Sequence, residues 1–290
     1  MRLDQRKKCV LPRYQGGFTL VEMITVIVIT GILASFAAMT LSGPVQQYLA
    51  GGLRADMTSI ADTSMRFIIR DLRTALPYSV RVTNQSNGSS CNATDTCYLE
   101  FIPIIGEGRY RLYDPTGGQS STCGAINTNT LTAGSTCFDV LGTMPTLGSY
   151  IIVDNASSSD ASSIYSLSTA ALIDQAKTTA TGATVYLSSA MPLFTASPGD
   201  RFQIISTAVS YVCDPSAGIL MRYSGYAPTN PQPTTTLATT PAELANHVSA
   251  CNFSVASGLV TLPLTISETD SAGNVEKLSV SGSAYVDNQP

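Results

Sequence analysis

The sequence has no tryptophan, a single histidine (His247), and charged residues at only 12% of its 290 positions. One histidine supports neither a zinc-protease motif, which uses a pair of imidazoles, nor a histidine-dependent catalytic triad marked by sequence. A glycine-rich phosphate loop is also missing, because Gly51-Gly52 is not followed by Lys and Ser or Thr. We therefore expect no enzymatic activity and no cofactor.

Positive charge is scarce outside the first residues. The whole chain has a formal net charge of −4, and residues 1–17 carry five basic residues against one acidic residue. The remainder is therefore more acidic than the whole, whereas a nucleic-acid surface needs a positive patch. We expect no nucleic-acid partner. Few charges, with loops rich in Ser, Thr, Gly and Asn, are typical of a β-rich domain outside the cytoplasm.

Residues 18–39 form the longest apolar run, and its 22 residues include a single charge, Glu22. A helix needs about 20 apolar residues to cross the hydrocarbon core of a bilayer. A carboxylate inside such a segment is costly in lipid, so Glu22 is interpreted as a functional group that needs a partner. The preceding basic residues predict a cytoplasmic amino terminus and an exported remainder. These basic residues are Arg2, Arg6, Lys7, Lys8 and Arg13.

The stretch Gly16-Gly17-Phe18-Thr19-Leu20-Val21-Glu22 resembles the processing site of type IV prepilins and of the pseudopilins of type II secretion. The resemblance implies that 1–17 is a cytoplasmic leader, removed by a prepilin peptidase between Gly17 and Phe18. It also implies N-methylation of Phe18, with Glu22 as the fifth residue of the mature chain. Other pilins and an inner-membrane assembly platform are the further partners that it implies.

Two simpler interpretations of this stretch compete. An ordinary secretory signal also has a basic flank and an apolar core, and Ser35-Phe36-Ala37 would serve as its cleavage site. A plain single-pass membrane anchor is the second. Neither explains Glu22, and the anchor does not explain Gly16-Gly17-Phe18 either.

Seven cysteines become six when the leader, with Cys9, is set aside. An even number in an oxidising compartment predicts disulfide bonds. We expect sequential pairing, because each of the first two pairs then closes a polar loop between strands. The expected pairs are Cys91–Cys97, Cys123–Cys137 and Cys213–Cys251. A zinc site is the alternative, but no Cys-x-x-Cys spacing occurs and one histidine is available, so we expect no metal.

The helical pattern continues beyond the apolar run. Ser42-Gly43-Pro44 predicts an interruption or kink, because Pro44 has no N–H to donate. Gly51-Gly52 is a second position, here called the soft point, at which the helix is predicted to be weak. An apolar stripe then recurs every three to four residues, which predicts an amphipathic helix over 40–76 that ends before Pro77. The stripe consists of Leu53, Met57, Ile60, Ser64, Phe67, Ile68, Leu72 and Ala75.

Residues 77–290 show short alternating runs typical of strands, separated by polar loops. The predicted strands are 79–83, 98–102, 109–113, 149–153, 184–188, 202–213, 219–223, 248–255, 259–267 and 275–286. Pro263 predicts an edge position or a bulge, and 166–176 is a further helical candidate. The loops are 84–96, 114–136, 155–163 and the proline-rich 227–240. The sum is an α+β, type IV pilin-like fold: one long helix packed on antiparallel sheets, expected to number two.

Three groups of side chains leave alternatives open. Five basic residues between Arg54 and Arg81 are interpreted as a solvated helix face, or as partners for acidic residues of neighbouring subunits. Calcium binding by the loop residues Asp139, Asp154 and Asp160 lacks EF-hand spacing, so solvated charges are favoured. Tyrosines that line a cleft would favour a lectin-like site, but sheet packing explains them more simply. These tyrosines are Tyr211, Tyr223 and Tyr226.

Residues 65–82 (MRFIIRDLRTALPYSVRV) and 98–111 (YLEFIPIIGEGRYR) resemble the O-type minor pilins of the mannose-sensitive haemagglutinin (MSHA) pilus. The more distant resemblance is to the J-type pseudopilin of type II secretion. The first resemblance implies a low-copy subunit near the pilus tip that starts assembly, held as a single-pass inner-membrane protein beforehand. Glu22 would then set the register between subunits. A tip-borne adhesin and a pseudopilin are the alternative functions.

Overall fold

The computed structural model describes residues 17–86, 88–115, 118, 123–124, 129–155, 164–235, 237, 240–270 and 273–286. One long helix, α1 (Leu20–Leu72), is followed by β-strands in three antiparallel sheets. The strands are β1 (Arg81–Asn84), β2 (Cys97–Phe101), β3 (Ile104–Tyr110), β4 (Cys137–Leu141), β5 (Tyr150–Ile152), β6 (Ala170–Leu172), β7 (Thr184–Tyr186), β8 (Arg201–Ile205), β9 (Ala208–Asp214), β10 (Ile219–Tyr226), β11 (Ala242–Ala245), β12 (Val248–Cys251), β13 (Ser254–Ala256), β14 (Leu259–Thr269) and β15 (Val275–Tyr285). The α+β prediction is confirmed, with three sheets instead of two.

The chain divides into two compact units, Met1–Gly52 and Leu53–Pro290. In the first unit α1 is long and apolar enough to cross a membrane by length and composition, with a mean hydropathy of 2.3 over a window that is 0% buried. Of the interruption or kink predicted at Pro44, the interruption is wrong, because α1 continues through this residue. One missing hydrogen bond costs less than ending a helix, which would leave several backbone groups without partners. The boundary between the units falls at the predicted soft point, Gly51-Gly52.

In the second unit, the rest of α1 packs its apolar side chains into the largest hydrophobic core. Met57, Ala61, Met65, Ile68 and Leu72 recur every three to four residues and are all buried there. The opposite walls come from alternate residues of β2, β9 and β14, so α1 contacts strands of two different sheets. This spacing is the one that places side chains on a single helix face.

Helix α1 was expected to continue to residue 76 and ends at Leu72. The residues after Leu72 pair with the turn between β2 and β3 instead of continuing the helix. Leu76 N–H donates to the Ile102 carbonyl (2.8 Å), and Ile104 N–H donates to the Thr74 carbonyl (2.7 Å). A tertiary pairing therefore ends the helix four residues before the predicted boundary.

Two of the sheets share this core with α1. The five-stranded sheet has the order β1-β2-β9-β10-β11, and in the other sheet β14 pairs with β12 and β13 on one side and with β15 on the other. Pro263 lies in β14 between the segment paired with β13 and the segment paired with β12. On this side of β14 the partner changes from β13 to β12 at Pro263, so no ladder hydrogen bond needs the N–H that proline lacks.

The third sheet has six strands in the order β6-β5-β8-β3-β4-β7 and its own hydrophobic core. The predicted helix at 166–176 is wrong, because β6 lies within it and pairs with β5. The predicted strand at 202–213 consists of two strands, β8 and β9, in different sheets. The segments β4, β6 and β11 were not predicted as strands. The predicted loop 155–163 lies almost entirely outside the described residues, and 114–136 lies partly outside them.

Candidate functional site

The amino end of α1 is capped by its own sequence. The Glu22 N–H donates to the Thr19 hydroxyl oxygen (3.3 Å), and the Met23 N–H donates to the Thr19 carbonyl (3.2 Å). Thr19 is therefore the N-cap, and Thr-x-x-Glu has the spacing of a capping box. Because the helix begins at Leu20, the bond between Gly17 and Phe18 lies outside it, and the Phe18 side chain is 80% exposed. The predicted cleavage position is accessible and non-helical.

Hydroxyl side chains along the apolar part of α1 are bonded back to the helix. Thr25 donates to the Glu22 carbonyl (3.0 Å) and Thr30 to the Val26 carbonyl (2.6 Å). Ser35 and Thr40 likewise donate to carbonyls four residues earlier, at 2.8 Å each. Such bonds leave no hydroxyl of these four residues without a partner in a medium that offers none.

Glu22 differs from these hydroxyls. Its side chain is exposed, and it forms no ion pair with any residue that the structure describes. A carboxylate in the first turn is favoured by the helix dipole, but that interaction leaves its oxygens free to accept. The geometry thus provides one charged acceptor in the apolar part of α1, available to a cation from outside the chain.

The structure contains the three disulfide bonds expected from the sequence: Cys91–Cys97, Cys123–Cys137 and Cys213–Cys251. The first joins the loop before β2 to β2 itself. The last joins β9 to β12, and so connects the five-stranded sheet with the sheet built around β14.

The two described aspartates among those considered for calcium, Asp139 and Asp154, belong to no group of metal ligands in the described residues. Asp139 is buried, and its oxygens accept from Asn129 Nδ2 (3.0 Å) and the Thr184 hydroxyl (2.7 Å). These donors occupy the oxygens that a cation would need. Asp154 is half-buried on the segment after β5, and Asp160 lies outside the described residues. Within the part of the chain that the structure describes, no three His, Cys, Asp or Glu side chains are grouped for a metal.

Sequence reasoning missed a buried ion pair between β1 and β2. Arg81 Nη2 lies 2.6 Å from Glu100 Oε2, and Glu100 is fully buried. The Tyr226 hydroxyl donates to Glu100 Oε1 (2.8 Å), and the Arg81 guanidinium stacks on the Tyr165 ring at 3.4 Å. Burial raises the pKa of Glu100, and Arg81 and Tyr226 oppose that shift without cancelling it. The signal was available, because a glutamate in an apolar strand needs a buried partner.

A second such group fastens the end of α1 to the five-stranded sheet. Arg222 Nε on β10 lies 2.8 Å from Asp71 Oδ2, and the Tyr211 hydroxyl on β9 donates to the same oxygen at 2.8 Å. Burial and the Asp71 carboxylate raise the pKa of Tyr211 far above its usual value. Asp71 lies outside the predicted apolar stripe, and it is an anchor between helix and sheet.

The basic residues between Arg54 and Arg81 largely find partners within this chain. Arg54 pairs with Glu276 (3.0 Å) and Arg66 with Asp62 (2.7 Å). These contacts and the Arg81 pair use charges that were considered for neighbouring subunits. The exposed pairs contribute little to stability because water screens them.

Residues 12–38 match the family model described as the prokaryotic N-terminal methylation motif. No curated protein and no solved structure matches the chain. The motif supports a type IV pilin-like or pseudopilin-like protein, and it implies processing by a prepilin peptidase and association with a membrane and with pilins. The exposed apolar helix is consistent with membrane anchoring.

Proposed function

We propose that this protein is a minor pilin-class subunit of an MSHA-type type IV pilus, incorporated near the tip and needed to start fibre assembly. It is held in the inner membrane by α1 with a cytoplasmic amino terminus and a periplasmic β-rich domain. A prepilin peptidase removes residues 1–17 before incorporation. This role needs no catalytic group in the chain.

The observation that carries the proposal is that the exposed Glu22 carboxylate has no ion-pair partner among the described residues. Cleavage after Gly17 and N-methylation leave a cationic amine on Phe18, which lies among apolar side chains when the subunit is in the membrane. An opposite charge within a few ångströms strongly reduces the cost of keeping each charge there. Glu22 has no partner among the described residues, so the amine of an incoming subunit supplies one and sets the axial register.

Assignment to a minor subunit of the MSHA type rests on the resemblance of 65–82 and 98–111. In the structure these residues cover the end of α1 with the start of β1, and the consecutive strands β2 and β3, which lie in different sheets. They contain Asp71, which pairs with Arg222 between helix and sheet, and Arg81 and Glu100, which pair between strands. The segments that carry the resemblance are thus the ones that fix the helix on the domain.

The test is a clean deletion in a strain that cannot retract its pili, scored by the number of surface fibres. Loss of fibres, restored by the intact gene, is the expected result. Normal fibre numbers with lost attachment would instead show a tip-borne adhesin. Normal fibres with a defect in protein secretion would show a pseudopilin of a type II system.

A further inference from the structure

The face of the five-stranded sheet turned away from α1 carries an unassigned group of side chains. Leu99, Tyr211 and Leu220 point to the α1 core, so their sequence neighbours point to the opposite face. Tyr98 on β2 pairs with Val212 on β9, and Val212 pairs with Met221 on β10. Asp214 lies two residues beyond Val212 toward one end of the cleft, and Tyr223 lies two residues beyond Met221 toward the opposite end. Together they form the floor of a cleft.

The proline-rich segment forms the opposite wall of this cleft. Thr234 and Thr235 line it together with the sheet residues, and its volume is about 470 Å³. Gln232 is buried and donates from Nε2 to the Tyr98 carbonyl (3.3 Å), which fastens the segment to β2. The volume is within the range of sites that bind small molecules.

The charge of the cleft has one sign. Asp214 lines it, and no Lys or Arg is among its described lining residues. Arg81 is on the same face but is paired with Glu100 at 2.6 Å. Partial burial raises the pKa of Asp214, but hydrogen bonds from Ser216, Ala217 and Thr96 outweigh that effect and lower it. The carboxylate therefore stays ionised, and the cleft disfavours anionic ligands.

Tyr98 forms the aromatic side of the cleft and is only 6% exposed. Burial, with the nearby Asp214 and Tyr223, raises the pKa of its hydroxyl. A cleft with an ionised carboxylate at one end, a tyrosine at the other, and a tyrosine, a methionine and a valine between them is an environment that attracts a cation.

We propose that this cleft binds a quaternary ammonium group. Asp214 Oδ1 already accepts from the Ser216 N–H and hydroxyl and from the Ala217 N–H. It therefore contributes charge more than new hydrogen bonds. A lysine ammonium is strongly hydrated and needs acceptors for three donors, and the floor of this cleft offers it few free acceptors. A quaternary ammonium has no donors to satisfy and is attracted by the tyrosine faces and the carboxylate.

The test is methyl NMR of the full chain labelled at the methionine methyls, in a polyoxyethylene detergent that carries neither ammonium nor sugar groups. Met221 is assigned by its loss in Met221→Leu. Choline chloride is titrated to about 50 mM against sodium chloride of equal ionic strength. We expect a saturable shift of the Met221 signal, and a much weaker response to butylammonium.

Two variants and one ligand control make the test decisive. Asp214→Asn keeps an acceptor for the Ser216 and Ala217 N–H groups and should weaken choline binding about fivefold or more. Asp270→Asn removes a similar turn aspartate, one that accepts from Asn274, and should leave binding unchanged. If Asp214→Asn alters the fold, Tyr223→Leu is the variant that tests the proposal, and it should also weaken choline binding.

The neutral isostere 3,3-dimethyl-1-butanol has the shape of choline without its charge. A Met221 shift of equal size with this alcohol, or with a neutral methyl glycoside, would overturn the proposal. So would the absence of a saturable shift with choline, or an unchanged affinity in both Asp214→Asn and Tyr223→Leu. None of these outcomes affects the proposed role in assembly, which is measured by fibre number.

Discussion

The two halves of α1 differ in the exposure of their apolar side chains and in the partners of their polar side chains. In the first unit the apolar side chains are exposed, as at Ile29 (56%), while the hydroxyls of Thr25, Thr30, Ser35 and Thr40 are bonded to the helix itself. In the second unit Ile68 is 0% exposed, and polar groups such as Asp71 bond to strands instead. In the first half the apolar side chains are exposed and these hydroxyls bond only within the helix, whereas in the second half the apolar side chains are buried and polar side chains also bond to other parts of the chain.

The difference shows which surroundings each half requires. Exposed apolar side chains along many successive turns are stable only in lipid or against other apolar helices. The second half is provided with its apolar surroundings by β2, β9 and β14. Hence the second unit has a core of its own, whereas the first depends on a membrane or on neighbouring subunits.

The same substitution in each half gives the largest expected contrast. Ile68→Ala should lower the free energy of unfolding by about 3 kcal/mol, because it leaves a cavity between α1 and two sheets. Ile29→Ala is the matched control and should leave it nearly unchanged. The measurement is urea unfolding of the full chain in detergent, followed by near-UV circular dichroism of the tyrosines. Equal effects from both variants would show that the halves do not differ in packing.

Much of this contrast was predictable from the order of residues. An unbroken apolar run predicts a helix in lipid, and a stripe at helical spacing predicts one packed on a sheet. The continuity at Pro44 was not predictable from local rules, because they weigh the missing hydrogen bond but not the cost of exposing helix ends. The end at Leu72 depends on Thr74 and Leu76 pairing with a turn about 30 residues away in sequence, which no local pattern reveals.

Replacing Glu22 should affect assembly and leave the second unit intact. Glu22→Ala removes the one charged acceptor of the apolar segment, so we expect about tenfold less of the subunit in sheared fibres relative to the membrane pool. Glu243→Ala, which removes an exposed carboxylate on β11, is the control. Normal incorporation of Glu22→Ala would contradict the register role. A loss of folded protein would instead mean that the Glu22 carboxylate in the first turn stabilises α1 itself.

The ion pairs Arg81–Glu100 and Asp71–Arg222 could not be predicted from the sequence, in contrast to the residues at the start of α1. Gly17, Phe18 and Glu22 are adjacent in sequence, so a short motif identifies them. Arg81 and Glu100 are brought together by strand register across a long loop, and Asp71 meets Arg222 across about 150 residues. A glutamate in an apolar strand predicts that a partner exists, but it does not say which of the arginines supplies it.

The smallest expected effect concerns the pH dependence of the second unit. Burial raises the pKa of Glu100 in the folded state above its unfolded value. Its contribution to stability is therefore fully present below the unfolded pKa and is lost as pH rises through the folded pKa. Glu100→Gln cannot titrate, so the wild-type free energy of unfolding minus that of the variant should fall as pH rises above the pKa of an unperturbed glutamate, about 4.3.

Urea unfolding at a series of pH values measures this difference, with Glu243→Gln as the control that removes an exposed carboxylate. For that control the difference should change less with pH, because its surroundings are similar in the folded and unfolded chain. A difference for Glu100→Gln that rises with pH would mean that Arg81 stabilises the carboxylate more than burial destabilises it. In that case the attraction between Arg81 and Glu100 would hold β1 on β2, on the face of the five-stranded sheet turned away from α1.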